Sequence, residues 1–246
     1  MKNSSPGAKN LSAVLKRFAK SPAPEFPDAG DPVAVLIQSF LLWEATAEDA
    51  LAAYAAMRDR FVDYNELRVS LPHEIARTLA LRDGRALDRC HRLRAVLTDI
   101  FKREHAVTLE RLSQMGKREL RKYLDELEGM VPFVAARLAL LCFDSHSIPV
   151  DERLRSRLIE EGIAEPAMDV NELSGWLSRH VKASQGPRVH YALQAWSEYP
   201  AGKPSARDGA SRSRPGTRTK TTAARKTGAR SGARSGPRPR RAQAES

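Results

Sequence analysis

Few side chains in this sequence have the types and spacing that catalysis requires. The chain has six histidines and two cysteines, and no histidine shows the close spacing to cysteines or carboxylates that metal sites need. Cys90 and Cys142 lie in apolar helical patterns, which predicts buried free thiols in a reducing compartment. No glycine-rich loop for nucleotide phosphates is visible in the sequence. We therefore expect no metal and no cofactor.

Asp151 is the strongest candidate for a catalytic group. It closes the segment Pro149-Val150-Asp151 and precedes Leu154 and Leu158, which have helical spacing. Asp is a preferred N-cap, because its side-chain oxygen accepts a hydrogen bond from a backbone N–H of the first turn. Asp151 is therefore predicted to begin a helix, and a catalytic role for its carboxylate is the alternative.

The elements that position Asp151 are a turn, a buried helix and a short loop. The turn is Glu128 to Pro132, which lies between two helical patterns. Val134 to Cys142 is almost wholly apolar apart from Arg137, as in a helix that is buried on most sides. The stretch from Leu127 to Arg157 is thus predicted to be a helical hairpin followed by a second helix.

The remainder of the chain predicts an all-α fold with roughly ten short helices. Asp31-Pro32 provides an N-cap followed by a proline at the first helical position, and the helix to Trp43 is apolar nearly all round, so it is expected to be central. Asn10 is predicted to cap a short N-terminal helix. We expect an N-terminal extension over residues 1–30, a helical domain over residues 31–199 and a tail over residues 200–246.

The hairpin and the segment at Asp151 together resemble the helix-hairpin-helix DNA glycosylases of the endonuclease III superfamily. The pattern of that family runs roughly LPGVGPKTA, then a mostly apolar helix, then PVDTH. The corresponding letters here are LEGMVPFVA at Leu127 to Ala135 and PVDER at Pro149 to Arg153. The resemblance implies two helical lobes with a DNA cleft between them, and a hairpin whose backbone amides face a DNA phosphate.

Carried over residue by residue, the resemblance implies a site without lyase chemistry. Gly129 matches the first glycine of the hairpin, and Val131 stands at the second. The lysine that forms a Schiff base in lyase members is replaced by Phe133, and phenylalanine cannot act as a nucleophile. Asp151 matches the family aspartate that stabilises positive charge on the sugar or activates the nucleophile.

Two further family features differ in this sequence. Glu44 stands where many members have a glutamine that fills the gap left by the extruded base, and a carboxylate is unfavourable inside a DNA duplex. Many members also bind an iron–sulfur cluster through four cysteines near the C-terminus. The chain has two cysteines in all, which cannot supply four ligands.

The basic character of the chain lies in its tail. The formal charge is +11, and the residues from Ala201 onward hold 13 Lys or Arg against 2 acidic residues, so the first 200 residues are neutral overall. A flexible cationic segment without bulky apolar residues is expected to be disordered and to bind polyanions through counterion release. Duplex DNA is favoured because the helical body resembles DNA enzymes, and RNA or an acidic protein is the alternative. The tail residues that we assign to DNA binding are Arg212, Arg214, Arg218, Lys220, Arg225, Lys226, Arg230, Arg234, Arg238, Arg240 and Arg241.

In the helical body, Gly129 and Val131 of the hairpin are candidates for phosphate binding. The alternative for the hairpin is a well-packed turn between two helices, with Met130, Val131 and Phe133 turned inward. Four arginines, which we expect on or near the same face, are further candidates: Arg137, Arg153, Arg155 and Arg157. A mixed-charge solvated surface is the alternative for this face, because acidic residues are interspersed. No apolar segment reaches the ~18 residues of a membrane span, and no signal peptide is visible. We expect a cytoplasmic, nucleoid-associated protein.

Three functions fit these observations. The favoured one is a DNA-binding endonuclease III-like protein of base excision repair with weak or no catalytic activity. The second is an active monofunctional glycosylase that uses Asp151, because such an enzyme needs a carboxylate and an extruded base but no lysine. The third is a chromosome-associated structural protein that binds DNA through its tail alone.

Overall fold

The computed structural model describes residues 6–21 and 24–199, and this part of the chain contains helices and loops without a strand. Two short 3₁₀ helices, Glu110–Gln114 and Ala183–Gln185, accompany the α-helices. The α-helices in chain order are α1 (Pro6–Phe18), α2 (Pro32–Leu42), α3 (Ala47–Arg60), α4 (Tyr64–Val69), α5 (Pro72–Thr78), α6 (Ala86–Glu104), α7 (Lys117–Asp125), α8 (Pro132–Cys142), α9 (Glu152–Glu160), α10 (Val170–His180) and α11 (Gly186–Glu198). The predicted all-α class is confirmed.

Helix α2 is the centre of the fold, as its composition predicts. Asp31 caps it by accepting a hydrogen bond of 2.8 Å from the Val33 backbone N–H, and Pro32 occupies the first turn. Every residue from Val33 to Leu42 is buried. A helix that is apolar on all sides is stable only when other elements cover every side, and α2 packs against α3, α6 and α8.

The buried apolar side chains form two cores, which define two lobes. The first core is built by α2 to α8, and the second by α1 together with Ile148, Val150 and helices α9 to α11. Both cores belong to one compact unit that spans Met1–Gly202. Helix α8 ends the first lobe, and the segment 143–151 leads into the second. The two-lobed arrangement expected from the family resemblance is therefore present.

The N-terminal helix is part of the folded body. Leu11, Val14 and Phe18 of α1 are buried in the second core. The helix begins at Pro6 rather than after a cap at Asn10. The Asn10 side chain instead donates a hydrogen bond of 3.0 Å to the backbone carbonyl of Glu161, a partner that is distant in sequence and that local patterns do not reveal.

Short elements differ most from the predictions. Helix α4 was not predicted, because its six residues include only two that are apolar. Glu110–Gln114 forms only a 3₁₀ turn, with Leu112 as its buried residue. Within the described ranges, none of the helices is long and apolar enough to cross a membrane. The predicted tail, residues 200–246, lies outside the described residues.

Candidate functional site between the lobes

Asp151 lies between the two lobes, and both of its carboxylate oxygens are engaged by backbone N–H groups. Oδ1 accepts a hydrogen bond of 2.8 Å from Leu154, which makes Asp151 the N-cap of α9, as predicted. Oδ2 accepts one of 3.0 Å from Glu44, just past the end of α2 in the other lobe. The side chain is buried, and this burial raises the pKa of Asp151 although the two N–H groups and Arg153 oppose the shift.

The turn that Asp151 contacts, residues 43–46, is held from both lobes. The Trp43 carbonyl accepts hydrogen bonds from the guanidinium of Arg89 on α6, the shorter being 2.8 Å. The Ala45 carbonyl accepts one of 2.7 Å from Nη1 of Arg153 on α9. Glu44 has a φ of +55°, a left-handed conformation that non-glycine residues rarely adopt. These contacts keep the turn in place despite that unfavourable backbone conformation.

The Glu44 side chain is paired within the protein. Its carboxylate lies 2.6 Å from Nε of Arg85, at the start of α6. Burial raises the pKa of Glu44, with the nearby charge of Asp151 adding to the shift and Arg85 opposing it. Arg85 also stands over the ring of Trp43, with 5.2 Å between Cζ and the ring centroid. Sequence reasoning missed Arg85 and Arg89, which contact the turn through Glu44 and Trp43.

Phe133, which the family resemblance aligns with the lyase lysine, is buried at the start of α8. Its ring meets the imidazole of His190 on α11 edge-to-face, with centroids 6.3 Å apart. His190 is itself buried, and burial holds its pKa well below the ordinary value, with Arg137 adding to that shift. The position therefore offers apolar surface and a neutral imidazole in place of an amine.

The hairpin between α7 and α8 is shaped by packing against α6. Gly129 has a φ of +86°, and a Cβ at this position would lie 2.9 Å from the backbone oxygen of Arg92. The glycine thus allows close approach of α6, which fits the alternative of a well-packed turn between two helices. Val131 is buried as the N-cap residue of α8.

Charges of both signs surround the hairpin. The backbone N–H of Glu128 donates to the Asp99 carboxylate at 3.0 Å, so this amide already has an anionic acceptor. Burial would raise the pKa of Asp99, but this N–H and Arg103 outweigh it and lower the pKa. The side chains of Glu126 and Glu128 are exposed beside the turn, and Lys122 lies 3.8 Å from the Glu126 carboxylate. The amide of Glu128 is therefore already occupied, and the carboxylates near the turn are accompanied by cations.

A cavity lies beside this hairpin, against α8. It has a volume of about 500 Å³ and is bounded by α7, the hairpin, the loop 145–150 and α10. Small side chains of α8, Ala135, Ala136 and Ala139, form one wall. Neither Asp151 nor Phe133 lines it. The groove is thus lined by elements of both lobes, but it does not include Asp151 or Phe133.

The arginines predicted to contact DNA form hydrogen bonds with other parts of the protein. Arg155 donates to the carbonyls of Met168 and Pro166 at 2.6 and 2.7 Å. Arg157 donates to the Tyr199 carbonyl at 3.3 Å and pairs with Glu160 at 3.2 Å. Together with Arg153, they hold loops and helix ends. The four arginines therefore do not form the expected open basic face.

The location predicted for Arg137 is wrong. The side chain is 1% exposed and points into the protein between α2 and α11, where it contacts Ser39 and His190. Helix α8 presents its alanines to the groove, so the opposite side of the helix, which includes Arg137, faces the interior. A phosphate of DNA cannot reach this guanidinium from the outer surface.

Over residues 6–21 and 24–199, no group of three or more His, Cys, Asp or Glu could hold a metal ion. Burial raises the pKa of Cys90 to about 12 and that of Cys142 to about 11, so both thiols are protonated at neutral pH. The tail residues assigned to DNA binding lie outside the described residues.

Comparison with known proteins identifies the fold. No protein-family model matches the chain, and no curated protein matches it. Solved structures do match. A non-covalent endonuclease III–DNA complex aligns with a TM-score of 0.61 at 14% identity, over 79% of this chain and 86% of that one. A thermostable thymine-DNA glycosylase aligns with a TM-score of 0.56 at 18% identity, over 78% and 86%.

A third match extends the comparison to another member of the same superfamily. The 8-oxoguanine glycosylase/lyase of Clostridium acetobutylicum, in complex with double-stranded DNA, aligns with a TM-score of 0.55 at 15% identity, over 77% of this chain and 68% of that one. Together with the hairpin and the two lobes, these matches show that the chain has the fold of the helix-hairpin-helix DNA glycosylases.

Proposed function

We propose that this chain is a duplex-DNA-binding protein of the helix-hairpin-helix glycosylase superfamily, acting in base excision repair or genome maintenance without lyase chemistry. The observation that carries the proposal is Phe133, buried where the family motif has its Schiff-base lysine. A side chain without a nucleophilic atom cannot form the covalent intermediate of a lyase. With two cysteines in the sequence, an iron–sulfur cluster of the four-cysteine type is also not expected.

Weak or absent catalysis is consistent with the contacts of Asp151. Each carboxylate oxygen already accepts a backbone N–H, and one of these bonds joins the lobes. A carboxylate that is needed to begin a helix and to fix a neighbouring turn has less freedom to approach a sugar. We therefore assign to Asp151 a structural role in the first instance.

The second candidate function is a monofunctional glycosylase that uses Asp151. It is favoured by the position of this buried carboxylate between the lobes, where the family resemblance implies the DNA cleft. Hydrogen bonds from N–H groups leave lone pairs on both oxygens, so electrostatic stabilisation of a positively charged sugar is chemically feasible.

Affinity for DNA is assigned mainly to the cationic tail. The helical body has no net charge. The arginines that were predicted to bind DNA donate hydrogen bonds to backbone carbonyls of the protein, and exposed carboxylates lie beside the hairpin. The 13 cations after Pro200 can neutralise phosphates with little dependence on base sequence. Association with the nucleoid in the cytoplasm is the location that we propose on this basis.

The test is an assay for covalent trapping on DNA. The full-length protein is incubated with a duplex that has an abasic site, and borohydride is added to reduce any Schiff base. Endonuclease III serves as the positive control. We expect no covalent adduct and no strand cleavage, and a trapped adduct would contradict the proposal. Excision of damaged bases that is lost in Asp151→Asn would establish the second candidate instead.

A further inference from the structure

Two segments of the sequence contain cations and no acidic residue. Residues 1–24 contain five Lys or Arg, and residues 173–197 contain three. The first 200 residues have 28 residues of each sign, so the part outside these two segments has a net charge of −8. The body is therefore neutral only on average, and its positive charge is concentrated in the two segments.

Folding brings the described parts of these segments together in the second lobe. Helix α1 packs against α11, with Leu11, Val14 and Phe18 of α1 buried. On α11, the guanidinium of Arg188 donates a hydrogen bond of 2.9 Å to the carbonyl of Ala19, just after the end of α1. The charge of Arg188 is thereby held beside the C-terminal end of α1.

The side of α1 that faces away from the core is exposed and basic. Lys9, Lys16 and Arg17 are exposed on the helix, and Lys20 is exposed in the turn that follows it. Within the residues that the structure describes, none of these four forms an ion pair. In the first lobe, by contrast, Lys122 lies 3.8 Å from a carboxylate four positions further along the chain. The charges of α1 are therefore available to an external anion.

The helix dipole explains only part of this pattern. Cations are favourable near a helix C-terminus, which accounts for Lys16 and Arg17 in the last turn of α1. Acidic residues are the favourable ones in a first turn, but the first turn of α1 has none. Lys9, at the end of that turn, has the unfavourable sign. The stability of α1 therefore does not account for a surface on which every charge is positive.

The chemistry of this surface fits a phosphate backbone better than a protein or a bilayer. Among the described residues, the exposed large apolar side chains lie between residues 62 and 87, in the first lobe. The cores of protein interfaces are enriched in aromatic residues and depleted in lysine. A bilayer requires an exposed apolar face, whereas the apolar side of α1 is buried. Lys9 and Lys16 are about 10 Å apart along the helix, the axial length of about three phosphates on one DNA strand.

The surface is separate from the contacts of Asp151. Asp151 caps the start of α9, whereas Asn10 of α1 donates a hydrogen bond of 3.0 Å to the carbonyl of Glu161, just past the other end of that helix. Helix α9 has nine residues, so its ends are about 13 Å apart. An anion bound to α1 is therefore remote from the carboxylate between the lobes.

The described chain ends beside this surface. The ring of Tyr199 meets the ring of Phe18 edge-to-face, with centroids 5.9 Å apart. The sequence with 13 cations follows directly after Pro200. Covalent continuity thus keeps the first of those cations within reach of a duplex that contacts α1.

We propose that Lys9, Lys16, Arg17, Lys20 and Arg188 form a surface that binds the phosphate backbone of duplex DNA together with the tail. We call it the α1 surface. This inference rests on the proposed DNA binding and adds to it a contact outside the space between the lobes. Because phosphates are the ligand, binding depends strongly on salt and little on base sequence.

The test replaces Lys9, Lys16 and Lys20 by glutamine in the full-length chain. Affinity for a duplex is measured by fluorescence anisotropy over a series of salt concentrations. Loss of three phosphate contacts is expected to reduce the magnitude of the slope of log affinity against log salt concentration by about 2.7. At about 0.1 M salt, we expect the affinity to fall on the order of 10-fold.

The matched control replaces Lys102, Lys117 and Lys122 by glutamine. These lysines are exposed in the first lobe, and the net charge of the chain changes by the same amount. We expect smaller changes in slope and affinity for this variant. Equal effects in the two variants, or an unchanged slope after substitution of the α1 lysines, would overturn the proposal.

Acetylation of lysines locates the surface without any substitution. The wild-type protein is acetylated with and without excess duplex, and the modified lysines are identified by mass spectrometry. We expect the duplex to protect the three lysines of the α1 surface more strongly than the three control lysines. The proposal is wrong if the α1 lysines react equally in the two conditions.

Polyglutamate, as a second probe, distinguishes DNA from an acidic protein. If substitution of the α1 lysines weakens polyglutamate binding more than duplex binding, the surface belongs to an acidic protein partner and the assignment to DNA is wrong. Absence of duplex binding by the wild type contradicts the proposed function and this inference together. Binding by the wild type that the α1 substitutions leave unchanged contradicts this inference alone.

Discussion

At the scale of single residues, Asp151 has two structural tasks. It begins α9 through Leu154 and holds the turn after α2 through Glu44. The first task is predictable from the sequence, because an Asp before a helical pattern is a preferred cap. The second is not predictable, since Glu44 is 107 positions away in the chain and its φ of +55° leaves no local signature.

Asp151→Ala is predicted to be more costly than removal of an ordinary cap. It removes the cap bond, at about 1 kcal/mol, and leaves the partly buried N–H of Glu44 without an acceptor, at about 1–3 kcal/mol. The free energy of unfolding is expected to fall by about 2–4 kcal/mol in urea denaturation. Asp169→Ala is the matched control, because exposed Asp169 caps α10 without a contact to the other lobe. Equal losses for the two variants would contradict a role for Asp151 between the lobes.

Arg153, Arg155 and Arg157 show the limit of sequence reasoning for charged residues. Their spacing in α9 suggests a basic face, whereas each of them reaches a backbone carbonyl elsewhere in the structure. The carbonyl that Arg153 reaches belongs to the turn after α2 in the first lobe, and the other two belong to the second lobe. The charge of an arginine is evident from the sequence, but its partner is set by tertiary structure.

At the scale of elements, long helices are predictable and short ones are not. Helices α2 and α8 follow from continuous apolar character, and α6 from repeated apolar residues at helical spacing. Helix α4 has six residues and one fully buried side chain, Leu67, so it depends on packing against α6 rather than on propensity. Gly129 correctly indicates the position of the hairpin. A glycine is needed there because α6 approaches the backbone too closely for a Cβ.

Gly129→Ala tests whether the hairpin is fixed by packing. A φ of +86° alone costs an alanine about 1–2 kcal/mol, and the contact of 2.9 Å with the Arg92 backbone oxygen adds a steric penalty. Gly162→Ala is the control, because Gly162 has a φ of +65° with no atom closer than 3.6 Å. Urea denaturation is expected to show the larger loss of stability for Gly129→Ala. An equal loss would mean that α6 does not restrain the hairpin.

At the scale of the whole molecule, a body with a glycosylase fold and no net charge is followed by a cationic segment. The two-lobed architecture follows from the hairpin motif and the Pro-Val-Asp segment, and it is confirmed by the structure. Hydrogen bonds join the two lobes at three side chains, Asp151, Arg153 and Glu198. Glu198 accepts its bond from the Ala47 backbone N–H. The net positive charge lies entirely after Pro200.

This distribution predicts a specific dependence of DNA binding on salt. Each phosphate neutralised on a duplex contributes about 0.9 to the magnitude of the slope of log affinity against log salt concentration. If even half of the 13 tail cations contact phosphates, removal of the tail reduces this slope by about 5 or more. A truncation after Gly202 is suitable, because it keeps the compact unit Met1–Gly202 intact.

The most direct test of the central claim is therefore the affinity for one duplex, measured by fluorescence anisotropy over a series of salt concentrations. The full-length chain is compared with the chain truncated after Gly202. We predict tight, strongly salt-dependent binding for the full chain, and much weaker binding with a shallow slope for the truncated chain. No binding by the full chain, or the same affinity and slope for both, would contradict the account of this protein as a glycosylase fold that binds DNA mainly through a cationic tail.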